Sequence, residues 1–157
     1  MPQQVINVVI AGLGGQGVLK ASDILADAVF AAGCDVKKAD VHGMSQRGGS
    51  VRSDVRFGPR VYSPMVPEGG ADFLLAIAED QSEPHRGVLA ESGTLLSPAN
   101  VDAQRLSNRR SVNVALLGAL SRRLDIEQAI WHAAICKNFK PSLHEDNLKA
   151  FEIGRQS

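Results

Sequence analysis

Residues 5–33 read VINVVIAGLGGQGVLKASDILADAVFAAG: a β-branched apolar run, a glycine cluster and an amphipathic stretch, in that order. No other segment constrains the fold so tightly. Val5 to Ala11 is apolar at both parities, the pattern of a strand buried on both faces of a largely parallel sheet. Beyond the glycines, Val18, Leu19, Ala21, Ile24, Leu25, Ala28 and Val29 recur at helical spacing, and Lys20, Asp23 and Asp27 fall mostly on the other side. Gly33 supplies a helix stop. A second strand near Cys34–Ala39 would then close a right-handed βαβ unit. The expected fold is α/β: a Rossmann-like three-layer α/β/α arrangement with a mostly parallel sheet, one antiparallel hairpin and a helical C-terminus, in a single domain over residues 1–157.

Downstream, SVRSDVRFG and RVYSPMV flank Gly58-Pro59, which predicts the hairpin there. Val51, Ser53, Val55 and Phe57 alternate with Arg52, Asp54 and Arg56, so one face of the first of these strands should meet solvent. ADFLLAIA at 71–78 reads as another buried strand, and Thr94–Ser97 as a short one; the rest of 79–110 is polar and weakly patterned. Val114, Leu116, Leu117, Leu120 and Leu124 fit one helix face. Asp125–Gln128 and Ser142–Glu145 have capping-box spacing and predict the openings of two further helices.

Composition narrows the function classes. Seventeen basic and seventeen acidic side chains cancel, so neither nucleic acid nor a membrane surface has electrostatic support as a partner. Cys34 and Cys136 are the only cysteines, which excludes a four-cysteine zinc or iron–sulfur site built by this chain alone. The apolar run near the N-terminus lacks a basic flank and is too short to span a bilayer, so the expected location is cytoplasmic.

Two constellations carry chemistry. Gly12, Gly14 and Gly17 satisfy G-x-G-x-x-G between a predicted strand and a predicted helix, where free backbone N–H groups favour a phosphate. Asp40 stands about where a ribose-binding carboxylate would, which keeps a stand-alone nucleotide-binding module (NAD or flavin) open as an alternative. The second is HGMSQRGGS at 42–50, at the carboxyl end of a strand, the side where open α/β sheets gather ligands. Arg47 offers a planar fork for carboxylate or phosphate, and Gly48 and Gly49 expose backbone N–H groups. A lone histidine such as His42 is more often a structural hydrogen bonder than a base, and Arg47 could pair with Asp40 or Asp54. Ser45 has no visible activating base, so the reading is an anion-binding or interface loop and not a nucleophile.

Together the strand–GLGGQG–helix opening, the DVHGMSQRGGSVRSDVRFG block, the YSPMVPEGGADFLLAIAE block and the NVALLGAL helix resemble the gamma subunit, or gamma domain, of 2-oxoacid:ferredoxin oxidoreductases. The branch most similar is the beta subunit of indolepyruvate oxidoreductase. The resemblance implies a subunit of a thiamine-diphosphate enzyme that oxidatively decarboxylates a 2-oxo acid to an acyl-coenzyme A. It implies that no cofactor is bound by this chain alone. Thiamine diphosphate and the iron–sulfur clusters would sit mainly in a large partner subunit, with ferredoxin reached through the complex and coenzyme A as acyl acceptor. A homodimer of the isolated chain stays an open alternative. By motif, the resemblance carries over two contact loops: Gly12, Gly14, Gly15, Gln16 and Gly17, and then His42, Gln46, Arg47, Gly48, Gly49 and Ser50.

Overall fold

The computed structural model describes residues 2–42 and 49–157. Five strands, β1 (Ile6–Leu13), β2 (Asp35–His42), β3 (Ser50–Gly58), β4 (Ala71–Ala76) and β5 (Leu89–Leu96), form one sheet in the order β2-β3-β1-β4-β5. β1–β4 and β4–β5 are parallel, whereas β3 runs antiparallel to both β1 and β2. Four strands therefore share a direction, and β3 alone opposes them. The expected mostly parallel sheet holds in strand direction, but only half of the neighbouring pairs are parallel.

The hairpin is not where the Gly58-Pro59 turn predicted it. β3 pairs back onto β2 with His42 opposite Val51, and residues 59–70 form no strand. The same insertion splits the expected βαβ unit. β1, α1 (Val18–Ala31) and β2 follow in order, but β3 lies between β1 and β2.

The face of β3 expected to meet solvent is instead covered, and its polar residues hold the cover in place. Arg52 Nε donates to Asp54 Oδ1 at 2.6 Å, and the backbone N–H of Val66 donates to Asp54 Oδ2 at 2.9 Å. Arg52 also donates to the carbonyl of Val66, and Arg56 to the carbonyl of Ser63 at 2.7 Å and to Asn7 Oδ1 at 2.8 Å. Asp54 is fully buried. Its hydrogen bond to Arg52, ahead of the burial that opposes it, holds the guanidinium above its ordinary range. An irregular segment supplies unpaired carbonyls and N–H groups, so charged strand residues can satisfy it where a regular strand would need a partner strand.

On the other face, Val8, Ile10, Val55, Phe57 and Leu75 form one core with α1, α3 (Val112–Ser121), α4 (Gln128–Asn138) and α5 (His144–Gln156). A smaller core of Val9, Ala11, Val66, Leu74 and Val88 lies under residues 59–70 and the short helix α2 (Ser82–His85). Helices thus flank both faces, unequally. The two predicted capping boxes do not form. α4 and α5 are preceded by Glu127 and Leu143, neither of which caps through its side chain. α4 starts at Gln128, leaving Asp125 in the connection, and the turn Pro141–Leu143 places Ser142 before the helix entry. The box that does form is Ser97 with Asn100, closing the turn after β5. No helix among the described residues is long and apolar enough to cross a membrane.

Candidate functional site

β1 ends at the glycine loop because its apolar run stops at Leu13, and the chain must then reverse into α1. Gly15 and Gly17 take positive φ of 85° and 84° to do so. Gln16 closes the turn with its own side chain: its Oε1 accepts from the N–H of Leu13 at 2.7 Å, and its backbone N–H donates to the Leu13 carbonyl at 3.1 Å. Gln16, expected as a ligand contact, thus spends its carbonyl oxygen on the shape of the loop. Gly12 is needed for the same packing, since a Cβ there would lie 2.8 Å from Val18 Cγ2 and 3.0 Å from Gln16 Oε1.

α1 then starts without a side-chain cap and without an acidic residue in its first turn. The first N–H groups of any helix lack intrahelical acceptors and carry a partial positive charge, so this end is suited to an anion. α3 begins beside it: Asn113 Nδ2 donates to the carbonyl of Gly17 at 3.1 Å, while its Oδ1 accepts from Val114 N–H at 2.9 Å. Gly15, Gln16 and Gly17 line a recess of about 340 Å³ with Lys20, Arg110 and Asn113, and one carboxylate, Asp146, lines it as well. Gly14, Gly15 and Gly17 line a second recess of about 390 Å³ with Lys20, His42 and Val51. The Lys20 ammonium donates to the carbonyl of Asn138 at 2.8 Å and lies 5.3 Å from the centre of the Phe139 ring, which anchors it at the end of α4.

The two segments singled out in the sequence meet here. β1 and β3 pair with Leu13 opposite Ser50, and the N–H of Gly14 donates to the carbonyl of Gly49 at 3.1 Å. His42 is exposed at the end of β2, next to the second recess. Gln46, Arg47 and Gly48 lie outside the described residues. Ser50 Oγ shares a hydrogen bond of 3.1 Å with His85 Nε2 of α2. Burial, and secondarily the charge of Arg52, hold the His85 imidazole below its ordinary value.

Asp40 does not serve a ribose site. Its carboxylate accepts from Ser53 Oγ and pairs with Lys38 Nζ at 3.4 Å, and Lys38 in turn donates to Ser22 and Asp23 of α1. The interposed β3 also moves the end of β2 one further strand spacing, about 4.8 Å, from the glycine loop. Among the described residues, no group of three His, Cys, Asp or Glu is arranged to hold a metal ion. Cys34 and Cys136 are both free thiols, and burial pushes the Cys34 thiol up.

Lys20, Arg110, Asn113 and His85 were not singled out from the sequence. For Arg110 a signal existed: Arg109 and Arg110 lie in the turn Arg109–Ser111 that leads into α3, where a helix start ordinarily favours acids. Basic residues there are unfavourable for the helix itself and suit a shared anion. Asn113 and His85 carried no such signal, because their partners Gly17 and Ser50 are 96 and 35 residues away.

The chain matches the family model described as pyruvate ferredoxin/flavodoxin oxidoreductase over residues 7–157. It is 32% identical to the indolepyruvate oxidoreductase subunit IorB of Pyrococcus horikoshii, over 94% of this chain and 93% of that one. To the 2-oxoglutarate synthase subunit KorC of Archaeoglobus fulgidus it is 28% identical, covering 98% and 88%. In fold it is similar to the gamma subunit of a keto/oxoacid ferredoxin oxidoreductase from Geobacter sulfurreducens, with a TM-score of 0.81, 22% identity and 96% of each chain covered. It is also similar to part of a 2-oxoglutarate:ferredoxin oxidoreductase from Magnetococcus marinus whose structure holds 2-oxoglutarate, coenzyme A and succinyl-CoA, with a TM-score of 0.80, 19% identity, 99% of this chain and 31% of that one. With the split sheet, the bare helix end and these relatives along its whole length, the chain belongs to the pyruvate ferredoxin/flavodoxin oxidoreductase family, as a small subunit of a 2-oxoacid:ferredoxin oxidoreductase.

Proposed function

We propose that the glycine loop is the place where this subunit receives the phosphate-bearing end of coenzyme A, in a cytoplasmic oxidoreductase of the indolepyruvate type. In this reading residues 1–157 work as one gamma-type domain beside a large partner subunit. That partner holds thiamine diphosphate and the iron–sulfur clusters, which supply decarboxylation and electron transfer to ferredoxin. The described residues of this chain offer neither a metal-ligand cluster nor paired cysteines. Gly12, Gly14, Gly15, Gln16 and Gly17 shape the anion-binding turn, and Lys20 and Arg110 add the charge. His42, Gly49 and Ser50 border it, and Gln46, Arg47 and Gly48 follow His42 in the sequence as further contacts.

The observation that carries this reading is the start of α1, uncapped, free of acids in its first turn and flanked by Lys20 and Arg110. A phosphate there would accept from backbone N–H groups in a recess that two cations, Lys20 and Arg110, line. The whole-length similarity to IorB supports the indolepyruvate-type substrate class. In the assembled enzyme, Lys20→Ala and Arg110→Ala should each raise KM for coenzyme A about tenfold, the loss of one charge-assisted hydrogen bond. The effect should shrink as salt is added, because these charges are exposed. Steady-state kinetics at two ionic strengths test it; an unchanged KM in both variants would overturn the assignment of the loop.

A further inference from the structure

Ser50 opens β3, and its neighbours are the fixed points of the glycine loop. Leu13 lies opposite it in the sheet, and the carbonyl of Gly49 receives the N–H of Gly14. Ser50 shares the face of β3 that carries Arg52 and Asp54, and α2 meets it there through His85. From that helix His85 reaches down to Ser50 Oγ at 3.1 Å, and it is the only side chain among the described residues recorded as bonded to that hydroxyl. Nothing in the glycine motif accounts for this contact, since a hairpin start needs no imidazole to pair its backbone.

We infer that His85 is a positioning residue: by holding Ser50 it keeps the start of β3, and with it the Gly49 carbonyl, seated on the Gly14 amide, so that the glycine loop keeps its ligand-ready shape. The folded protein favours the neutral imidazole at this contact. Burial first, and the Arg52 charge second, keep His85 below its ordinary value of 6.5. A proton on it would set a second cation beside Arg52. The other charges near it are Glu68, whose carboxylate is close to Gly87, and the exposed Glu83–Arg86 pair of its own segment. Arg52 in turn is held by Asp54. Because the folded protein favours the uncharged ring, the unfolded or loosened state binds more protons below about pH 6.5. The arrangement therefore loosens as pH falls and is unaffected at neutral pH.

The function of this contact rests on the coenzyme A reading above, but its geometry can be tested apart from it. In the assembled enzyme, hydrogen exchange at the amides of Gly14 and Val51 should quicken about fivefold in His85→Ala, the equivalent of one ordinary hydrogen bond. It should stay near the wild-type rate in His85→Gln, whose amide can occupy the place of Nε2. Measured against the intrinsic exchange rate at each pH, the wild type should show the same loss of protection below pH 6, and His85→Gln should not. Ser50→Ala combined with His85→Ala should be no faster than either single variant. Additive quickening in the double variant, or no gain of His85→Gln over His85→Ala, overturns the inference. If the exchange pattern appears as stated, His85→Ala should also raise KM for coenzyme A about fivefold with a smaller effect on kcat, a change of the same free-energy size. An unchanged KM in Lys20→Ala and Arg110→Ala would count against the coenzyme A reading alone, because the exchange result does not depend on it.

Discussion

At the scale of single residues, the loop is held by groups that each have one job. Gly17 stands at φ 84°, and a Cβ on it would lie 2.4 Å from Asn113 Nδ2, the atom that bonds the Gly17 carbonyl. Gly17→Ala therefore suffers both a left-handed backbone and a displaced Asn113. We expect it to lower unfolding free energy by about 1–3 kcal/mol, read from urea denaturation. Gly15→Ala shares the positive φ but meets no atom within 4 Å, so it should cost less. Equal losses would mean that the contact with Asn113 contributes nothing. These residues were partly legible beforehand. G-x-G-x-x-G marked the glycines because only glycine takes such backbone angles freely. The partner that makes Gly17 indispensable could not be read, since Asn113 sits on α3, far along the chain.

At the scale of elements, the sheet and the helix pairs show which signals are local. The periods of β1, α1 and β4 predicted those elements well, because each buries one consistent pattern of side chains. The β3 alternation was read correctly as a strand and wrongly as half-solvated, because a polar face can equally meet a segment that needs its hydrogen bonds. The helix pair α3–α5 depends on a close approach that periodicity does not reveal. A Cβ on Gly154 would fall 1.7 Å from the carbonyl oxygen of Ala115, and one on Gly118 would fall 2.0 Å from that of Phe151. Backbone meets backbone there, and no rotamer change can relieve it. Gly154→Ala should force the helices apart and cost about 3 kcal/mol, the upper end of ordinary overpacking. Thermal or urea unfolding checks this, and a loss below that of Gly15→Ala would show that the helices slide freely.

At the scale of the whole molecule, topology decides which ligands the glycine loop can serve. A dinucleotide site of the usual kind needs the second strand next to the first, so that an acid at its end reaches the ribose. Here β3 occupies that place, and Asp40 is bound to Ser53 and Lys38. The isolated chain should give no saturable heat with NAD or a flavin nucleotide in titration calorimetry; micromolar binding of either would overturn this reading of the sheet. The relatives along the full chain are consistent with a loop that works inside a larger enzyme.

What the amino-acid sequence determined by itself was the α/β class, the strand–glycine–helix opening, the family and the two loops worth watching. All of these rest on local backbone preferences or on contiguous motifs. What only the tertiary structure decided was the insertion of β3 between β1 and β2, the burial of its charged face, and the meeting of Gly17 with Asn113 and of Ser50 with His85. Each of those depends on which distant segments share a surface, and the free energy of such contacts leaves no period in the chain that makes them.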